Sequence, residues 1–194
     1  MPQITRDSLM SLEAYAKTRK EFRGRMMAHK KHRSLHLGEH VTLIFEDELT
    51  IRYQIQEMLH AEKIFEEAGI EDELAAYNPL TPDGSNWKAT MMIEYPDPDE
   101  RGRMLTRLIG IEDKVWMKVE RHPRIYAIAD EDMDRENADK TSAVHFLRFE
   151  LDPEMAQSVK TGARLSAGVD HPQCTITLED VDPAIRAGLA QDLA

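Results

Sequence analysis

Two histidines and two glutamates carry the strongest chemical signal in the chain. Apolar and polar residues alternate over 142–151, so Ala143, His145, Leu147 and Phe149 share one face of a strand. Leu165, Ala167, Val169 and His171 share a face in the same way. Both imidazoles therefore point with apolar neighbours toward an interior, where a ring without a hydrogen-bond partner is costly. Glu62 falls on the apolar stripe Ile51, Ile55, Met58, Phe65 of a helix expected from about Thr50 to Gly69, and Glu57 lies beside that stripe. If this helix covers the sheet, two imidazoles and two carboxylates meet at one interior point. Such a set suits a divalent transition metal such as zinc, iron or manganese. It equally suits a general acid–base pair, or a His–Glu bond that only holds the fold. Glu62 is expected to be buried and bonded to His145 or His171, facing a cavity.

Other motifs carry less. Glu57-Met58-Leu59-His60 has the E-x-x-H spacing of carboxylate-bridged di-iron bundles, but such a centre draws on a second copy and none exists here. His60 is expected to face solvent. Cys174, the single cysteine, excludes an internal disulfide and a cysteine zinc cluster. It lies three residues after His171 on a short expected strand at 173–178, where an inert buried thiol and a reactive pair are both conceivable. Trp87, Tyr53 and Tyr77 are candidates to line a pocket or to fill the core. Phosphate-loop, dinucleotide, α/β-hydrolase and zincin signatures are absent.

The elements that must position these residues follow from periodicity. A first helix is expected over 7–33, carrying Leu9, Leu12, Ala16, Phe22 and Met26, with Thr5 or Asp7 as cap and Gly24 as a point of bending. A strand at 41–45 precedes the Thr50–Gly69 helix, and a short helix at 73–77 stops before Pro79. Period-two patterns then appear at 88–95, 114–119, 124–129, 142–151 and 164–169, with a helix at 99–109. Asp152-Pro153 and Asp182-Pro183 each read as an N-cap with proline at the first helical position. The charged stretch 131–140 is expected to be a mobile loop. Successive strands with little helix between them predict an α+β fold, a mainly antiparallel sheet packed with N-terminal and C-terminal helices in one domain over 1–194.

Charge is unevenly spread along the 194 residues. The net charge is −11, which favours solubility and opposes general nucleic-acid binding. Yet eight Lys and Arg lie between Lys17 and Arg33 against a lone Glu21, a local +7. The rest of the chain then carries the −11 of the whole less this +7, that is −18. Such a run either solvates an exposed helix or docks an acidic partner. No apolar run approaches the roughly 20 residues of a spanning helix, and the N-terminus has no signal-peptide core. No membrane and a cytoplasmic location are the expectations.

The strings LGEHVTLIFED (37–47), TIRYQIQEMLHAEKI (50–64), YNPLTPDG (77–84), SAVHFLRFEL (142–151) and VDHP (169–172) resemble a bacterial family, domain of unknown function 3501, over nearly the whole chain. The resemblance implies no assigned activity, and whether the chain is an enzyme stays open. It implies recurring polar positions at Gln54, Glu57, Glu62, Asn78, His145, Asp170 and His171, without a role for any of them; on the reading of the residues, Gln54, Glu57, Glu62 and Asp170 are ligand-binding candidates and the two histidines are metal candidates. His60 departs from the arginine the family tends to carry there. Genes for rubrerythrin-like and iron–sulfur oxidoreductase proteins often lie beside those of the family, which implies a redox or peroxide-defence setting. Two functions follow as expectations: an accessory of a redox system that binds a metal or small ligand, or a non-catalytic module whose basic first helix binds an acidic or redox partner protein.

Overall fold

A computed structural model describes residues 3–129 and 140–194. The chain is an α+β fold, and its described residues form six α-helices and two antiparallel sheets. The expected loop at 131–140 lies, but for Lys140, outside the described residues.

The first sheet contains β1 (Ser34–Leu37), β2 (Val41–Phe45), β3 (Asn86–Ile93), β7 (Val144–Glu150) and β6 (Ile128–Ala129), in that order. The second runs β5 (Arg124–Tyr126), β4 (Val115–Val119), β8 (Leu165–His171), β9 (Cys174–Leu178). Period-two sequence becomes one buried and one polar face, as the pleat requires. Trp87, Ala89 and Met91 of β3 sit opposite Phe149, Leu147 and His145 of β7, and all six are buried. Val115, Met117 and Val119 oppose Val169, Ala167 and Leu165 in the second sheet. The inner faces of both sheets share one apolar cluster, closed by Met155, Val159, Ile185 and Leu189 from the C-terminal helices. Each fully buried side chain of this size contributes about 1.5–3 kcal/mol.

Helices start where the sequence supplies caps. Helix α4 (Pro98–Arg107), α5 (Pro153–Lys160) and α6 (Pro183–Gln191) each follow an Asp-Pro step whose aspartate accepts a backbone N–H. The first helix is shorter than its pattern suggests: α1 spans Leu12–Lys31 behind a separate 3₁₀ turn at Arg6–Ser8, because Ser11 caps it by accepting from the Ala14 N–H. His32 and Arg33 form a turn, and β1 follows at Ser34–Leu37 directly behind the basic run.

The second expected helix is in fact two. Helix α2 (Glu48–Glu62) opens on Asp47, which accepts from the Thr50 N–H while the Asp47 N–H donates back to Thr50 Oγ1. It closes on Lys63 in the left-handed region, φ 58°. Helix α3 (Glu67–Tyr77) then absorbs the short helix expected at 73–77. Gly69 is therefore no C-cap but an early α3 residue, where an added Cβ would stand 2.7 Å from Ile64 Cγ2. Ile51, Ile55 and Leu59 of α2 pack with Ile70 and Leu74 of α3 and with Ile4 and Leu9 into a second cluster.

Candidate functional site

The residues singled out for chemistry do not converge on one place. Glu57 sits between α1 and α2. Arg19 grips its carboxylate with Nε at 2.8 Å and Nη2 at 2.7 Å, and the buried Tyr15 hydroxyl donates to the same group. The Arg19 hydrogen bonds hold the Glu57 carboxyl below its usual range, and burial followed by the Glu57 bond raises the Tyr15 hydroxyl. Glu57 thereby locks α1 onto α2 and is an occupied acceptor. Gln54 is half-buried on the same helix. His60, expected in solvent, is half-buried and meets the Tyr15 ring edge at 5.8 Å.

Glu62 corrects the central expectation. It is the last residue of α2 and is exposed, not buried. The apolar stripe ends at Leu59, because Lys63 terminates the helix before Phe65 can join it, and Phe65 is 73% exposed. Among the described residues no histidine pairs with Glu62, and His145 and His171 are engaged elsewhere.

His145 and His171 do face the interior, but from different sheets. On β7, His145 is buried with its Nε2–H directed at Thr141 Oγ1 at 2.9 Å and the Ser142 carbonyl at 3.1 Å. Buried Glu112 stands 3.9 Å from the same nitrogen. On β8, His171 donates Nε2–H to the Ile109 carbonyl at 3.1 Å and accepts the Gln173 N–H on Nδ1 at 3.2 Å. Both nitrogens of that ring are thus in use, and a metal at His171 would displace one of these bonds. Among the described residues no group of three or more His, Cys, Asp or Glu is placed to hold a metal ion. Burial raises the Cys174 thiol, opposite to what a reactive cysteine needs.

Asp170 organises the outer face of the second sheet. It accepts Trp116 Nε1–H at 3.1 Å, Arg124 Nη1–H at 2.6 Å and the Tyr126 hydroxyl at 2.6 Å. The Tyr126 bond is the largest influence lowering the Asp170 carboxyl, with Trp116 and Arg124 adding to it. Arg124 lies 4.0 Å above the Trp116 ring. The indole rests on Gly168, where a Cβ would meet it at 2.5 Å and the Ile176 carbonyl oxygen at 2.2 Å. Only glycine leaves room for that ring.

A further cluster carries no residue singled out from the sequence. Buried Arg33, at the end of the basic run, donates to the carbonyls of Phe45 and Glu46 and to the Asp192 carboxylate. Asp47 lies 3.4 Å from its Nη1 and accepts His29 Nε2–H at 2.6 Å. Burial outweighs Arg33 and pushes the Asp192 carboxyl up to about 6. The cluster joins α1, β2, α2 and the C-terminal segment. Asp192 follows Ile185 and Leu189 at helical spacing, and that was the available signal.

Residues 3–193 match the model of a family of proteins of unknown function, DUF3501. The chain belongs to that family. The chain is similar to the crystal structure of a novel protein of unknown function from Burkholderia pseudomallei K96243, 56% identical with a TM-score of 0.95 over 100% of both chains. No curated protein matches. No helix of the described residues is long and apolar enough to cross a membrane.

Proposed function

We propose that this DUF3501 protein is a non-catalytic interaction module whose first helix docks an acidic protein partner. The observation that carries it is the division of charge around α1. Arg19 and Arg33 turn inward to Glu57 and Asp192, and Lys17 bonds Glu13 at 2.7 Å. Lys20, Arg23 and Lys31 are exposed and make no ion pair with any described residue. Lys20, Gly24, Met27 and Lys31 follow i, i+4, i+7, i+11, a line along the outer surface. Met27 is 56% exposed in the middle of it, an apolar contact ringed by cations.

On the other flank of α1 a groove of about 390 Å³ opens toward α2, with Phe22 and Leu49 in its lining and Arg25 and Arg52 among its walls. Arg52 already pairs with Glu48 through Nη2 at 3.2 Å and Glu21 also lines the groove, so the free cations of this surface are those on the outer line of α1. The −18 on the remaining chain opposes long polyanions such as duplex nucleic acid, which extend beyond the face of α1, and leaves a compact acidic patch on a protein as the partner that fits.

Lys20→Glu/Arg23→Glu/Lys31→Glu tests the reading. These positions spare Arg19, whose loss would loosen α1 from α2. The variant should melt like the wild type and lose at least tenfold in affinity for an oligoglutamate probe. Unchanged affinity overturns the proposal, and so does tighter binding to duplex DNA than to oligoglutamate by the wild type. The alternative, a metal- or ligand-binding accessory of a redox system, has buried His145 and Glu112 as its support. Metal analysis of tag-free protein addresses it, with stoichiometric metal lost in His145→Gln as the result in its favour.

A further inference from the structure

The outer edge of β9 offers a different surface. Edge strands are normally blunted by charges, proline or bulges, since their free N–H and C=O groups template another strand. Cys174-Thr175-Ile176-Thr177-Leu178 has none of these, and among the described residues β9 pairs only with β8. His171 and Cys174 flank a two-residue turn and form the closing pair of the hairpin. The Val181 N–H bonds the Leu165 carbonyl, so odd residues of β8 aim their backbone groups toward β9 and its continuation. By antiparallel alternation, Cys174, Ile176 and Leu178 use their backbone groups on β8, and those of Thr175 and Thr177 point away from it. Both threonines are also exposed.

We propose that the chain forms a two-fold dimer in which β9 pairs antiparallel with β9 of a second copy, centred on Ile176. The triplet Thr175-Ile176-Thr177 is palindromic about that residue. Thr175 would face Thr177 of the second copy in a hydrogen-bonded pair, Ile176 would face itself, and Cys174 would face Leu178. Cross-strand threonine pairs are favourable. The flanks are complementary as well, because the same register sets Glu179 opposite Gln173 of the second copy. Gln173 Oε1 accepts from Arg107 Nη2 at 2.6 Å, which places a cation where that glutamate arrives. The two four-stranded sheets would become one of eight strands. A contact this short fits an association in the micromolar range.

Sedimentation and light scattering across a concentration series measure it directly. Wild type should approach twice the chain mass of 22.3 kDa. Thr175→Lys/Thr177→Lys sets like charges opposite one another twice and should give the single-chain mass, with an unchanged circular dichroism spectrum and melting point. Thr175→Lys/Thr177→Glu sets opposite charges across the axis and should restore the doubled mass. A wild type of single-chain mass at every concentration overturns the proposal. Persistence of the doubled mass in the double-lysine variant does so too, and a Lys/Glu variant that stays at the single-chain mass overturns the register.

Discussion

Replacing Asp192 by asparagine should remove a specific segment of the protein's pH–stability profile. Asp192 is 4% exposed and meets Arg33, yet burial raises its carboxyl from 3.8 to about 6. The folded state therefore binds this proton more tightly than the unfolded state. The stabilisation is complete below about 3.8 and is lost as pH rises through about 6. A shift of about two units corresponds to about 3 kcal/mol. The wild type should thus gain about 2.5 kcal/mol relative to Asp192→Asn between pH 7 and pH 4, roughly 5–10 °C in melting temperature for a chain of this size. Taking the difference between the two proteins cancels the carboxylates at Glu57, Asp83, Glu120 and Asp170, which are held low and act in the opposite direction. Paired thermal or urea melts at half-unit pH steps provide the measurement. A flat difference would show an ordinary carboxyl, and a wild type that weakens relative to the variant on acidification would show that Arg33 outweighs burial.

Four further substitutions probe the other positions. Gly168→Ala drives a methyl group into the Trp116 ring and the Ile176 carbonyl, and should cost about 3 kcal/mol with a shift in tryptophan emission. Tyr15→Phe removes one donor from a Glu57 that keeps both Arg19 bonds, and should cost about 1 kcal/mol in urea melts. Glu57→Leu, by contrast, strands a buried hydroxyl and an arginine and should cost at least twice as much as Tyr15→Phe in the same melts. Glu62→Leu alters an exposed helix end and should stay within about 0.5 kcal/mol of wild type.

Strands and proline-capped helices were legible because their signals are local. Alternation placed β3, β7 and β8 with His145 and His171 facing inward, and Asp-Pro steps marked α5 and α6. The α2–α3 boundary was not legible, since its break is Lys63 in a left-handed conformation and not the glycine six residues later. Strand β1 hid at the end of a basic run because Arg33, the residue just before it, spends its charge inside the protein on Asp192. The two-sheet arrangement was hidden for a related reason. Nothing in period-two sequence says which sheet a strand joins, and that assignment decides whether His145 and His171 can share a partner.

A carboxylate on an apolar helix stripe is a sound sign of a buried polar cluster, and this chain contains one. The sign was read at Glu62, where the stripe had already run out. It applies instead at Asp192, which continues the line of Ile185 and Leu189 one step past α6. The difference lies in what comes next along each chain segment. After Glu62 the backbone turns away through Lys63, leaving the carboxylate in solvent. After Asp192 the chain is held down, because Leu193 is buried and the Ala194 N–H bonds the Gly84 carbonyl. Gly84 has φ 102°, and a Cβ there would stand 2.9 Å from Ala194 Cβ. The close approach of that loop to the last residue is thus what keeps Asp192 out of water and against Arg33. A buried carboxylate requires a covering element as well as an apolar stripe, and the covering element here comes from more than a hundred residues earlier in the chain.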